Sequence, residues 1–343
     1  MKSFYTCLFL LLISISYSQD IILKGKILDE NKSPLPGANV YFEGTTIGTI
    51  TDVNGYFELK LVSDINSILV ISYIGYEDIF INDHSVFLKE KIHGVYLQPK
   101  AETLQEVVVK SHYFSRKQFL TAFKENFIGK KKTWKECTIV NEDDLYFDYD
   151  YSNNTFIAKC DEPLIINNNH LGYQVIYKLE DFEVKFATKS LSSSQMFRSF
   201  YSGFSRFIDI DKNQKKIKRR QKAYENSTLQ FFRWISKGDW TDKSYRLFDG
   251  SWMIDPDLYL KVALENNVYK ISVTNIEKDF KPKRIVSELN ILYQKRQQSK
   301  VIFQTNEFTI DKFGLNTQIE HIYFSGDMMK KKISELLPAD YGM

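Results

Sequence analysis

The sequence has little of several things, and each shortage excludes a class of protein. It holds 3 cysteines in 343 residues, too few for a disulfide-dense scaffold. Its 15 Gly and 7 Pro are too sparse for a linker-rich or collagen-like chain, and no internal repeat is apparent, which removes solenoids. Neither sign of charge dominates: 46 Lys and Arg against 43 Asp and Glu give a formal net charge of +3, so nothing points to a nucleic-acid partner. Beyond the first residues no stretch is apolar enough to span a bilayer as a helix. Aromatic residues are abundant at 15%, with 26 Phe and 21 Tyr, which favours strands with half-buried aromatic faces.

The N-terminus reads as an export signal. Met1 and Lys2 precede an apolar run from Leu8 through Ile15, and the small residues Ser16 and Ser18 follow two apart. That order matches a secretory signal peptide over residues 1–19, cleaved after Ser18 or Gln19. The run is shorter than the roughly 20 residues a membrane-spanning helix needs. Cys7 sits inside it rather than after a cleavage motif, so it does not read as a lipid-bearing cysteine. Export leaves Cys137 and Cys160, both in expected strands; a disulfide between them and two separate buried thiols remain open readings. Charge divides the mature chain: residues 20–110 carry 8 Lys/Arg and 13 Asp/Glu, residues 111–343 carry 37 and 30, and we place a domain boundary near 110.

From residue 20 to 110 short β-branched runs alternate with turn signals about every ten residues. Strands are expected at Ile21–Leu28, Ala38–Phe42, Gly55–Val62, Ser67–Tyr73 and Gly94–Gln98. In some 80–90 residues, two small facing sheets are the economical arrangement. Asn54-Gly55 predicts a tight hairpin, with Phe57 and Leu59 turned to the core. Asp52-Val53-Asn54-Gly55 invites comparison with a calcium loop, but the sixth and twelfth positions hold Phe57 and Ser63 where Gly and Glu are needed.

The residues in this stretch also carry a resemblance. Gly25-Lys26-Ile27, Asp29, Pro34-Leu35-Pro36-Gly37-Ala38-Asn39-Val40, Gly44-Thr45, Gly48-Thr49, Thr51-Asp52-Val53-Asn54-Gly55-Tyr56-Phe57 and Leu69 to Tyr76 run in the order of a carboxypeptidase regulatory-like domain of Bacteroidetes cell-envelope proteins. The resemblance implies a seven-stranded, transthyretin-like or Ig-like β-sandwich. The following Leu104-Gln105-Glu106-Val107-Val108-Val109 resembles the segment after that domain in TonB-dependent outer-membrane receptors, where an extended stretch engages TonB by strand addition. We read Glu106, Val107, Val108 and Val109 first as a linking strand, since 233 further residues are too few for the receptors' barrel.

Residues 111–343 are expected to form a larger β-rich α+β domain, making the chain mostly β with a few helices. An amphipathic helix is predicted over Ser115–Gly129, with strands at Leu145–Tyr151, Thr155–Cys160, Leu164–Asn167, Gly172–Phe186 and between Leu258 and Phe324. Residues 212–237 read as helical, opening on Lys215, Lys216, Lys218, Arg219, Arg220 and Lys222. That run suits an anionic surface, but we prefer a solvated helix start with a buried second half. Asp161-Glu162-Pro163-Leu164, Leu171-Gly172-Tyr173 with Tyr177 and Phe182, and the closing Leu336-Leu337-Pro338-Ala339-Asp340-Tyr341 resemble Bacteroidetes proteins of similar length whose β-rich region has no assigned activity.

No catalytic motif emerges. None of His84, His93, His112, His170 or His321 begins the His-x-x-Glu pair of a zinc carboxypeptidase. Gly203-Phe204-Ser205-Arg206-Phe207 lacks the second glycine of a hydrolase elbow, and Gly129-Lys130-Lys131-Lys132-Thr133 lacks phosphate-loop spacing. Asp143-Asp144 and Asp255/Asp257 read as surface charge. We expect no cofactor, no metal and no catalytic residue, and an exported, periplasmic or outer-membrane-associated protein. Its role is expected to be non-catalytic, as a binding or structural module for an envelope protein or glycan. The alternatives are a hydrolase of glycans or peptides and an accessory to TonB-dependent transport.

Overall fold

The computed structural model describes residues 21–61, 65, 67–88, 92–100, 113–129, 131–274 and 285–343. The proposed signal peptide, residues 1–19, and the segment Glu106–Val109 lie outside the described residues. Strands dominate, with few helices. The chain divides into two compact units, one of residues up to Val40 with Gly48–Lys100, the other of Tyr41–Ile47 with Ala101–Met343. The expected boundary near 110 falls outside the described residues.

Seven strands are described before residue 100: β1 (Ile21–Leu28), β2 (Asn39–Phe42), β3 (Gly48–Ile50), β4 (Tyr56–Leu61), β5 (Leu69–Ser72), β6 (Ile79–Ile81) and β7 (His93–Tyr96). They form two sheets, β4-β1-β7 and β3-β2-β5-β6, in which β1 and β7 run parallel. The expected β-sandwich is therefore present. Its inward residues alternate as period-two strands require: β4 buries Phe57, Leu59 and Leu61 and exposes Tyr56, Glu58 and Lys60.

Asn54-Gly55 does not close a hairpin. The turn carries the chain from β3 in one sheet to β4 in the other. Asp52 Oδ1 accepts the N–H groups of Asn54 (2.8 Å) and Tyr56 (2.9 Å), the side-chain-to-backbone pattern of an Asx turn. Gly55 has φ +76°, and its carbonyl accepts Ile27 N–H at 2.8 Å. A Cβ there would sit 2.5 Å from the Ile27 carbonyl oxygen, so close backbone approach is what requires glycine.

The second unit begins its described part with helix α1 (Arg116–Phe123), continued by a π-turn over Lys124–Ile128. Ser115 and Gln118 form a capping box, and Gly129 ends the element at φ +125°, as the sequence led us to expect. A single-turn helix α2 (Lys131–Trp134) follows. One six-stranded sheet comprises β8 (Cys137–Ile139), β9 (Tyr146–Asp150), β10 (Thr155–Lys159), β11 (Leu164–Asn168), β12 (Tyr173–Phe186) and β13 (Met196–Asp209).

β12 organises that sheet. Tyr173–Tyr177 pair with Asn168–Leu164 of β11, Glu183–Lys185 pair with β10, and its opposite edge pairs with β13. Its buried residues are Tyr173, Val175, Tyr177 and Leu179, then Phe182, Val184 and Phe186. The phase slips by one at a β-bulge between Leu179 and Asp181, which keeps both halves facing the same core. Against that face α1 and its π-turn lay Phe119, Phe123 and Phe127. Phe119 lies 5.3 Å from Phe156, Phe123 lies 4.8 Å from Phe182, and Phe127 lies 5.1 Å from both Tyr177 and Tyr201.

Cys137 and Cys160 are free thiols, which corrects the bridge reading. Cys137 lies in β8, opposite Asn168 of β11, whereas Cys160 follows β10, which pairs with a different stretch of β12. Adjacent-strand pairing, the basis for expecting a bridge, is absent. Burial pushes the Cys137 thiol up to about 12 and the Cys160 thiol up to about 11, so both remain protonated.

The expected helix over 212–237 is two helices, α3 (Ile217–Tyr224) and α4 (Thr228–Lys237). Asn226 takes φ +53° between them, and Ser227 caps α4 by accepting Gln230 N–H at 3.0 Å. The basic run serves the fold at two points. Arg220 is buried, grips both Asp209 oxygens (2.7 and 2.8 Å), donates to the Leu171 and Gly172 carbonyls, and stacks 3.9 Å over Tyr173. Arg219 donates to Glu136 at 2.5 Å.

The remaining strands are β14 (Tyr245–Asp249), β15 (Trp252–Met253), β16 (Leu260–Glu265), β17 (Val268–Val273), β18 (Ser287–Tyr293), β19 (Gln297–Phe303), β20 (Glu307–Ile310) and β21 (Ile322–Gly326), with a single-turn helix α5 (Pro256–Tyr259) between β15 and β16. They form the sheets β15-β14-β18-β19-β21 and β16-β17-β20. The core here joins Phe231, Phe232, Trp234 and Ile235 of α4 to Tyr245, Leu289, Val301, Phe303 and Phe308.

Arg220 supplies the test of this description. Arg220→Lys keeps the charge but loses the bidentate fork. We expect it to lower unfolding free energy by about 2–4 kcal/mol in denaturant titrations, because it leaves buried carbonyls unpaired.

Candidate binding cleft

A cleft of about 290 Å³ opens where α4 ends, lined by Ser236, Lys237, Gly238, Trp240, Asp257, Val262, Leu264 and Tyr269. Local sequence builds each wall. Gly238 ends α4 in the left-handed region at φ +60°, turning the chain so that Trp240 packs edge-on against Trp234 at 5.0 Å. Asp255 caps the single turn of α5 and places Asp257, whose Oδ1 accepts Trp240 Nε1–H at 3.4 Å. Lys261 closes on Asp257 Oδ2 at 3.2 Å, one turn along. Neighbouring strands β16 and β17 set Leu264 opposite Tyr269.

The lining residues thus offer two aromatic rings, two aliphatic side chains, one ion-paired carboxylate, one lysine and one hydroxyl. Rings and hydrogen-bonding groups at the rim of a shallow recess suit reversible binding. Neither a second carboxylate nor an imidazole stands among them, so this lining lacks a nucleophile–base pair or an acid–base pair. Asp255 caps α5 rather than joining Asp257 in the cleft. Of the other expected acidic pair, Asp144 bonds the Asn141 side chain.

A second cluster carries perturbed titrations. Burial pushes the Glu43 carboxyl up to about 7, opposed by hydrogen bonds from Ser205 N–H (3.3 Å) and Oγ–H (3.4 Å). Tyr41–Ile47 is bound beside it: Gly44 N–H donates to Ser205 O (2.7 Å), Phe207 N–H to Thr45 O (3.0 Å), and Ala339 N–H to Gly44 O (2.7 Å). Thr46 N–H and Oγ1–H both donate to Asp340. Lys332, held over the Tyr201 ring at 5.2 Å, is pushed down to about 8 by burial. Ser205 lies in the middle of β13, not on a strand-to-helix turn, so the hydrolase-elbow comparison ends there. His170 lies elsewhere, its Nδ1 3.1 Å from Glu136.

Sequence reasoning singled out none of Trp240, Tyr269, Leu264 or Glu43. The closing Leu-Leu-Pro-Ala-Asp-Tyr, in contrast, now has a structural role. Arg233 donates to the carbonyls of Ala339 (2.6 Å) and Tyr341 (2.8 Å), and Asp340 receives Thr46.

Glu43 gives a pH prediction. A folded state that holds this carboxyl protonated keeps a proton that the unfolded chain releases above its ordinary value of 4.5. The resulting stabilisation is present at low pH and is lost as pH rises through about 7. Glu43→Gln, which keeps an acceptor for Ser205, should match the wild type at pH 5. At pH 8 it should melt about 2–4 °C higher in scanning calorimetry.

Comparison with known proteins bears on the front of the chain. Residues 23–109 match the family model of the CarboxypepD_reg-like domain. The TonB-dependent receptor SusC of Bacteroides thetaiotaomicron is 35% identical over 106 residues, which cover 31% of this chain and 10% of the receptor. The TonB-dependent receptor P39 of Formosa agariphila is 39% identical over 85 residues, covering 25% of this chain and 8% of that protein. The chain spans about a tenth of the length of these curated relatives. Among the described residues no helix is long and apolar enough to cross a membrane. With its two facing sheets, its seven strands and the match over 23–109, the front of the chain is a carboxypeptidase regulatory-like domain.

Proposed function

We propose that the protein is an exported cell-envelope component that acts as a non-catalytic binding module, its second unit presenting the Trp240–Tyr269 cleft to an envelope protein or glycan. The envelope setting is supported by the regulatory-like domain and by the similarity to TonB-dependent receptors. The binding role is carried by one observation: the cleft joins aromatic and hydrogen-bonding walls to a single carboxylate already engaged by Lys261 and Trp240. A ligand stacked on Tyr269 and bonded to Asp257 meets complementary groups, and none of these is poised to transfer a proton or attack a bond.

Immobilised mature chain, incubated with solubilised envelope glycans and proteins, should retain a defined ligand and release it chemically intact. Tyr269→Ala and Asp257→Ala should each weaken retention at least about tenfold, roughly 1.4 kcal/mol. Recovery of a cleaved ligand would establish the hydrolase reading instead.

A second reading, an accessory to TonB-dependent transport, is favoured by the identity of both relatives. It expects co-purification with a receptor, lost when Glu106–Val109 is deleted. Unchanged receptor-dependent uptake in that deletion strain argues against it.

A further inference from the structure

β13 is an outer strand of 14 residues whose inner edge pairs with β12 at every residue but Phe197, which bulges between Met196 and Arg198, and whose outer edge is used over only part of its length. At its C-terminal end the outer edge is met by the turn between β2 and β3, since the Ser205 carbonyl accepts Gly44 N–H and Phe207 N–H donates to Thr45 O. Those two bonds fix which residues point outward. Backbone groups alternate along a regular strand, so Ser199, Tyr201 and Gly203 share the outward direction of Ser205 and Phe207. Among the described residues, no backbone partner stands on that edge from Met196 through Gly203. The same stretch exposes large apolar side chains: Met196 is 42% exposed, Phe197 79% and Phe200 36%. It carries none of the usual guards of an open edge, having no proline, no lysine and one charge, Arg198.

We infer that Met196–Gly203 is the interface of a homodimer, in which β13 pairs antiparallel with β13 of a second copy about a two-fold axis at Phe200. The register follows from the backbone. Outward residues must meet outward residues, so a two-fold axis at Phe200 sets Ser199 against Tyr201 of the second copy as hydrogen-bonded pairs on either side of the axis. Each such axis is isologous and closes on itself. Shifting it toward the C-terminus runs the second copy into Thr45, which occupies the edge at Phe207.

The side chains agree with that register. Phe200 stands opposite its own copy at a non-hydrogen-bonded position, where side chains lie closest, and forms an aromatic cross-strand pair. Arg198 meets Ser202 of the second copy rather than another arginine. The Ser202 hydroxyl donates to Asp181 at 3.0 Å, so the cation of one copy arrives beside a carboxylate of the other. The pairing extends the six-stranded sheet across the axis.

Sedimentation of the full mature chain tests the inference. The expected wild-type mass is twice that of one chain. Ser199→Pro, which removes an outward N–H, and Phe200→Lys, which sets like charges face to face, should each weaken self-association at least about a hundredfold. Phe200→Cys decides the matter should either variant misfold. Opposed Cα atoms about 4.5 Å apart are within disulfide reach, so this variant should cross-link to a covalent dimer under mild oxidation. Leu264→Cys, at an exposed position away from the edge, should not. A wild-type chain that sediments at the mass of one copy throughout the concentration series overturns the proposal. So does a dimer that survives both substitutions, or one whose Phe200→Cys form stays uncross-linked.

Discussion

The second unit depends on the bulge in β12. Fourteen residues of strand carry β11 and β10 on one edge and β13 on the other, so the sheet exists only while β12 keeps one face inward throughout. A right-twisted strand of that length pairing with two shorter neighbours needs a local change of phase, and the extra residue between Leu179 and Asp181 supplies it. Without the bulge, Phe182, Val184 and Phe186 would turn to solvent while Tyr173, Val175, Tyr177 and Leu179 stayed inside. The helix α1 would then have no continuous aromatic floor for Phe119, Phe123 and Phe127.

Two arginines hold the remaining pieces to this frame. Arg220 joins α3 to the start of β12 and the end of β13 through Leu171, Gly172 and Asp209. Arg233 joins α4 to the chain terminus and to Phe313. In both cases a planar guanidinium reaches several carbonyls at once from a fixed fork, a geometry that a lysine ammonium does not reproduce. The basic run that opens α3 is thereby divided: Arg219 and Arg220 serve the fold, and the lysines around them remain solvated charge. A surface-binding interpretation of the whole run fails on Arg220 alone.

The cleft lies where the fold is least constrained by its cores. The cleft is formed by the end of α4, one turn of α5 and the first strands of a small three-stranded sheet, elements whose inner faces are already committed to Trp234, Tyr259 and Ile271. Their outer residues are consequently available for contact without loss of packing. The regulatory-like domain and the similarity to TonB-dependent receptors support an envelope-associated role for the chain.

What the sequence alone determined was local and periodic. β1 appears over Ile21–Leu28, α1 begins at its Ser115 cap and ends by Gly129, and β12 ends at Phe186 as its alternation indicates, because these signals are read within a few neighbouring residues. The domain resemblance likewise rests on turn residues such as Gly55, whose backbone geometry no other residue adopts at low cost. The tertiary structure decided the rest. It made Asn54-Gly55 a crossing between sheets, and it placed Cys137 and Cys160 by strands that do not pair with each other. It divided residues 212–237 at Asn226, and gathered Trp240, Asp257 and Tyr269 around one recess. Each of these outcomes turns on which strands become neighbours, and that choice is made by long-range burial and backbone pairing, which no local pattern encodes.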